Sequence, residues 1–91
     1  MSQVTLYTTG WCPFCKRAEA LLAAKGVRNI ERVFIDAQPE RRTEMIARTG
    51  RRSVPQIFIG DRHIGGYEDL VAVDREGHLQ GLLAACGGTI G

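Results

Sequence analysis

Val4-Thr5-Leu6-Tyr7-Thr8, then Thr9-Gly10-Trp11, then Cys12-Pro13-Phe14-Cys15 is the stretch on which the fold of this chain turns. Its first five residues alternate apolar and polar among strong strand formers, which predicts a strand. Thr9-Gly10 breaks it. From Pro13 the period changes: Phe14, Ala18, Leu21 and Leu22 fall at i, i+4, i+7 and i+8, one apolar face of a helix. Pro13 suits the first turn, where its missing N–H would have no partner. Lys25 places a cation in the last turn, and Gly26 supplies a left-handed stop. A cysteine pair therefore spans a strand-to-helix junction, with Cys12 at or near the N-cap.

Unpaired backbone N–H groups and the positive end of the helix dipole surround such a cysteine. Both favour thiolate over thiol, and the thiolate is the attacking form. Lys16 and Arg17 add positive charge to the same turn. Residues three apart on a helix share a face, so Cys15 lies under Cys12, within reach of a disulfide. Cys12 is the expected nucleophile. Cys15, inside the helix and more buried, is expected to stay a protonated thiol until it resolves the covalent intermediate. Trp11 is placed to shield that intermediate from water. Zinc competes for a C-x-x-C pair, but it prefers four ligands. Only one such pair exists, and His63 and His78 fit no ligand spacing. Inert buried cysteines are a poor match for a Pro-aromatic insert at this junction. Cys86 continues an apolar helical face and reads as a small buried hydrophobe. His63, inside a short strand, reads as structural or exposed, and His78 as a solvated helix start.

Outward from the cysteines, Ile30 to Asp36 is dense in Val, Phe and Ile and predicts a second strand. Pro39-Glu40 opens a second helix with Met45 and Ile46 on its apolar side, ended by Gly50. Gln56-Ile57-Phe58-Ile59 is a third strand and Arg62-His63-Ile64 a fourth. The Gly60-Asp61 dipeptide between them is a hairpin signal, and Gly65-Gly66 ends the hairpin. A last helical stretch runs from about Glu68 to Ala85 with a break at Gly77, and places Leu79, Leu82, Leu83 and Cys86 on one face. Strands joined through a helix are expected to run parallel with a right-handed crossover, and the terminal hairpin antiparallel. The expectation is an α/β fold: a mixed four-stranded sheet in the order β-α-β-α-β-β-α with helices on both faces.

At 91 residues the chain is expected to be one domain, residues 1–91. Its composition, 44% hydrophobic and 24% charged, is that of an ordinary globular protein with enough apolar material for one core. A net charge of +2, from 12 Lys and Arg against 10 Asp and Glu, is too small to argue for nucleic acid. Basic residues gather at Arg41, Arg42, Arg48, Arg51 and Arg52. A solvated helix face plus a loop accounts for most of them, and the sharper reading is a positive rim for a small anionic substrate. No apolar run approaches the roughly 18 residues of a membrane span. The N-terminal residues lack a basic region followed by an apolar stretch, so no secretory signal is expected and a cytoplasmic setting is the default. Three cysteines, an odd number, argue against a secreted disulfide framework.

Three separated segments resemble the glutaredoxin family. Cys12-Pro13-Phe14-Cys15 is similar to its dithiol motif. Ser53-Val54-Pro55-Gln56 resembles the segment whose proline is cis and faces the active site. Gly65-Gly66-Tyr67-Glu68-Asp69 resembles the segment that holds glutathione. Arg51 and the run Gln56 to Ile59 also fit, and the bacterial glutaredoxin 3 type is closest. The resemblance implies a thioredoxin fold and a monomer. It implies glutathione as reducing co-substrate, no metal, and disulfide-containing or glutathionylated client proteins. Glutathione would lie against Phe14, Val54, Pro55, Gly66, Tyr67, Glu68 and Asp69. The Val54 backbone would pair with its cysteinyl part, N–H groups of Glu68 and Asp69 would receive the γ-glutamyl carboxylate, and the Asp69 carboxylate would take its ammonium.

The chain also departs from the family pattern. Many members carry a lysine three residues before the first cysteine, where this chain has Thr9. Arg42 and Arg51 are the candidates to replace its charge. Trp11 resembles instead the thioredoxins and the ribonucleotide reductase donors fed by thioredoxin reductase, a second functional reading. A third is an iron–sulfur cluster carrier. In the family that role favours a single cysteine followed by Gly-Phe-Ser, so Pro13 and Cys15 count against it.

Overall fold

Alternation along two central strands creates a separate apolar layer on each side of one sheet. The structure, a computed structural model, describes residues 4–87 and the side chains of residues 4–84. Strand β1 (Val4–Thr8) lies between β2 (Ile30–Phe34) and β3 (Gln56–Ile59), and β4 (Arg62–Gly65) forms the edge beside β3. The helices are α1 (Pro13–Ala24), α2 (Pro39–Thr49), α3 (Tyr67–Arg75) and α4 (Leu79–Gly87). Val4 and Leu6 of β1, with Ile57 and Ile59 of β3, meet Ala18 and Leu22 of α1, Leu70 of α3, and Leu79 and Leu83 of α4. Tyr7, Val33 and Phe58 point the other way, onto Met45 of α2. A fully buried leucine contributes about 1.5–3 kcal/mol, so Leu22 and Leu70, neither with any exposure, hold α1 and α3 to the sheet. Helices on both faces and a mixed sheet are as the sequence implied.

One strand runs against expectation. β1 and β2, joined through α1, are parallel, but β3 is antiparallel to β1. β2 and β3, joined through α2, therefore run in opposite directions. The expected parallel crossover fails here, and β3 docks on the far side of β1 rather than beside β2. The six residues after α2 bring the chain into β3 at the end of the sheet where β1 finishes, pairing Gln56 with Tyr7. That reversal carries the Val54–Pro55 segment to the mouth of the Thr8–Cys12 loop.

Other differences are local. β2 ends at Phe34 rather than Asp36, because the Asp36 carboxylate accepts hydrogen bonds from the Ala37 N–H at 2.9 Å and the Gly10 N–H at 3.0 Å and turns the chain away. Phe14 is not on the core face of α1: Cys15, Ala18 and Leu22 are, and Phe14 stands 48% exposed. With Cys15 turned inward, its neighbour is rotated about 100° away. The last helical stretch does break at Gly77, whose φ is +81°, giving α3 and α4. Cys86 falls within α4, but its expected burial concerns a side chain outside the described residues.

Candidate functional site

Cys12 is the N-cap of α1, extended at φ −141° and ψ 105°, with Pro13 in the first turn. Its Sγ accepts the Cys15 N–H at 3.2 Å, and its carbonyl accepts the first helical hydrogen bond, from Lys16 N–H at 3.1 Å. A backbone donor is thus aimed at the sulfur. The two thiols are both free and differ in depth, Cys12 being 8% exposed and Cys15 1%. Burial pushes the Cys15 thiol from 9.0 up to about 12. Its hydrogen bond to Cys12 acts in the same direction, against smaller opposing contributions from Thr8 and Thr9. The pair thus has an outer sulfur with a donor on it and an inner one that keeps its proton.

Two further segments face the outer sulfur or its surroundings. The Cys12 thiol lies 4.0 Å from the Val54 carbonyl, and the Val54–Pro55 peptide is cis. Gly66 is the N-cap of α3, and a Cβ there would lie 3.5 Å from the Pro55 carbonyl, so the two segments are neighbours. Tyr67, Glu68 and Asp69 open α3 with first-turn N–H groups that have no carbonyl partner inside the helix. The Asp69 Oδ2 accepts the Gly66 N–H at 2.8 Å and Arg51 Nη1 at 2.9 Å. The Gly66 N–H, then the Arg51 guanidinium, hold its carboxyl below the usual range. Asp69 is therefore both a helix-start acid and the partner of a half-exposed arginine.

Aromatic rings flank the pair. Phe14 leans on Tyr67 with centroids 6.1 Å apart, and the Arg17 guanidinium lies 5.3 Å from the Phe14 centroid. Trp11, 84% exposed, stands in solvent. The basic cluster divides. Arg41 pairs with Glu44, Arg48 lies 4.0 Å over the Phe58 ring, Arg51 pairs with Asp69, and Arg42 and Arg52 are exposed. Arg51 is thus beside the site, while Arg42 is on the exposed side of α2. His78 is exposed, as expected. Among the described residues no three His, Cys, Asp or Glu side chains converge. A cavity of about 550 Å³ lined by Arg62, Val73, His78 and Leu82 lies at the other end of α3 from Gly66.

Gln56 of the third strand and His63, expected to be structural or exposed, form a pair near the site. Gln56 is fully buried, donates from Nε2 to the Ser53 carbonyl at 3.0 Å, and has Oε1 2.8 Å from His63 Nε2. The signal was present: a glutamine directly after Pro55, heading an otherwise apolar buried strand.

The sequence profile of the Glutaredoxin family matches residues 4–64. This chain belongs to the glutaredoxin family. It is 51% identical over 83 residues to Glutaredoxin 3 of Escherichia coli K12, covering 91% of this chain and 99% of that one. A glutaredoxin of Neisseria meningitidis serogroup A is also 51% identical over 83 residues, covering 91% and 98%. The solution structure of a glutaredoxin from Brucella melitensis superposes with a TM-score of 0.79 at 48% identity, covering 99% of this chain and 96% of that one. A crystal structure of the buckwheat glutaredoxin–glutathione complex gives 0.87 at 27% identity, covering 97% and 82%. Family and fold make this glutaredoxin a thiol–disulfide oxidoreductase of thioredoxin fold, with Cys12 and Cys15 close together as a redox pair requires.

Proposed function

We propose that this glutaredoxin reduces glutathione mixed disulfides and protein disulfides by a dithiol mechanism, with glutathione as its reductant. The observation that carries the reading is the inequality of the two thiols: Cys12 shallow with a backbone N–H on its sulfur, Cys15 buried with its proton held up to about 12. Cys12 thiolate attacks one sulfur of a client disulfide, forming a Cys12–client disulfide and releasing the other sulfur as a thiolate. Cys15, losing its proton as it attacks, then displaces the client sulfur from Cys12, so that the client leaves with two electrons and the pair is oxidised. Two glutathione thiols reverse the oxidation, the first displacing Cys15 from Cys12 and the second freeing Cys12. The lone-thiol route for a glutathionylated client needs Cys12 alone.

Three features support glutathione as the occupant. The Val54 backbone borders Cys12 and suits an extended peptide. Gly66, beside the Pro55 carbonyl, leaves its backbone bare of a side chain. The first-turn N–H groups of α3 suit a carboxylate, and Asp69 suits an ammonium. Phe14 and Tyr67 wall the same side. The bacterial relatives support a cytoplasmic setting, and no described helix is long and apolar enough to cross a membrane. The exposed Trp11 is what favours the second reading, a donor reduced by thioredoxin reductase.

A coupled assay on a small glutathione mixed disulfide decides between them. One arm contains glutathione, glutathione reductase and NADPH; the other contains thioredoxin reductase and NADPH. Turnover in the first arm alone is expected, and turnover in the second alone would overturn the proposal.

A further inference from the structure

Residues 50–55 join α2 to β3 with no helix or strand of their own, yet they carry Val54, whose carbonyl lies against Cys12. Something other than secondary structure must hold them. Ser53 is exposed, and its carbonyl accepts the Gln56 side-chain Nε2 at 3.0 Å, with Ser53 Oγ at 3.4 Å from the same nitrogen. A carbonyl oxygen only accepts, so this contact settles which end of the Gln56 amide is nitrogen. Oε1 then faces His63 Nε2 at 2.8 Å, and that ring nitrogen must carry the proton.

The imidazole is itself fixed. His63 lies opposite Phe58 in the β3–β4 ladder, and their rings stack with centroids 5.0 Å apart at 34°. Arg48 covers Phe58. Burial, with Arg51 and Arg48 nearby and Asp69 opposing, holds the His63 pKa below its ordinary value, so the neutral ring is the form present near pH 7. A fully buried amide satisfied at both ends has little freedom to turn.

We propose that His63 is a positioning residue for this site: by donating to Gln56 it locks the amide that holds the Ser53 carbonyl, and so fixes the Val54 backbone opposite Cys12. The proposal rests on the reading of Val54 as the edge on which glutathione docks. His63 acts at two removes, from the edge strand through a buried amide to the loop.

The test compares His63→Phe, which keeps a ring on Phe58 but removes the donor, with His63→Gln, whose Nε2 can donate from a similar place. Steady-state kinetics on the glutathione mixed disulfide should show KM raised about fivefold in His63→Phe with kcat within about twofold. His63→Gln should stay near wild type in both. A simple loss of stability would lower active enzyme and kcat without that split. Hydrogen exchange of the Gln56 side-chain amide, read by NMR on the free protein, should be slow in wild type and His63→Gln and faster in His63→Phe. If His63→Phe melts below the assay temperature, His63→Leu takes its place. Unchanged KM without the donor, or equal loss in the phenylalanine and glutamine variants, overturns the proposal. If wild type itself fails to turn over, the functional reading falls, and the amide exchange alone decides whether His63 holds Gln56.

Discussion

Gly65 lies directly beneath the Asp69 carboxylate: a Cβ built on it would fall 2.7 Å from Asp69 Cγ, and its φ is +118°. Both facts exclude a side chain. Gly65→Ala should cost about 1–3 kcal/mol of stability, from the unfavourable φ and from displacing Asp69 off the Gly66 N–H. It should weaken glutathione binding as well, because Asp69 and the start of α3 move together. Urea midpoints and glutathione titration measure the two; a variant unchanged in both would show that the carboxylate has room to spare.

The depth difference between the thiols predicts separable phenotypes. Cys12→Ser should abolish all activity. Cys15→Ser should keep reduction of glutathione mixed disulfides within about threefold while losing dithiol reduction of protein disulfides by at least about a hundredfold. Paired assays on the two substrate types check this, and equal loss in both would refute the assignment of roles.

The Cys15 thiol also makes stability depend on pH on the alkaline side. Its pKa is 9.0 in an ordinary setting and about 12 in the fold. Below the lower value both states hold the proton and the contribution is fully present. Between the two values the unfolded chain releases a proton that the native chain keeps, so stability falls as pH rises towards about 12. Urea midpoints under reducing conditions at about pH 8 and about pH 11 should therefore drop more for wild type than for Cys15→Ser. The same drop in both would remove Cys15 as the cause.

Thr9 puts no cation three residues before Cys12, and Arg51 is engaged with Asp69. Thr9→Lys should tighten glutathione binding about two- to fivefold at low salt, with the gain shrinking as ionic strength rises. Calorimetric titration at two salt concentrations would show it. No gain at either would mean that the charge is already supplied.

Leu22 fastens α1, and with it both cysteines, to the sheet through full burial. Leu22→Ala should destabilise the protein by about 2–5 kcal/mol, the usual range for a buried leucine. Denaturant unfolding measures it, and a loss below about 1 kcal/mol would show a site that collapses to fill the space.

Much of this was legible in the residues, and the misses have physical reasons. β1, α1 and the hairpin were readable because period, turn residues and caps are local. The direction of β3 was not: alternation says which residues face a core, but nothing in it records which end of the strand the chain enters. Phe14 was misplaced because the buried face of α1 begins at Cys15, while Ala18 and Leu22 of the same apolar series are buried as expected. The closeness of Cys12 and Cys15 was legible from their spacing at the strand-to-helix junction, whereas Gly65 through Asp69 were singled out by resemblance alone. Gln56 was read only as part of its strand and segment and His63 as structural or exposed, because their partnership exists only after β4 folds beside β3.

The antiparallel entry of β3 divides the protein's chemistry by length scale. The two cysteines are separated by so little chain that they can close a disulfide before any sheet exists. Val54 reaches Cys12 only across 42 residues, and Gly66 joins them only after two more strands are laid down. On the proposed function, oxidisability is thus carried by a tetrapeptide, whereas discrimination among thiol partners is an emergent property of tertiary order. A chain that loosens its sheet would lose selectivity before it loses the capacity to be oxidised.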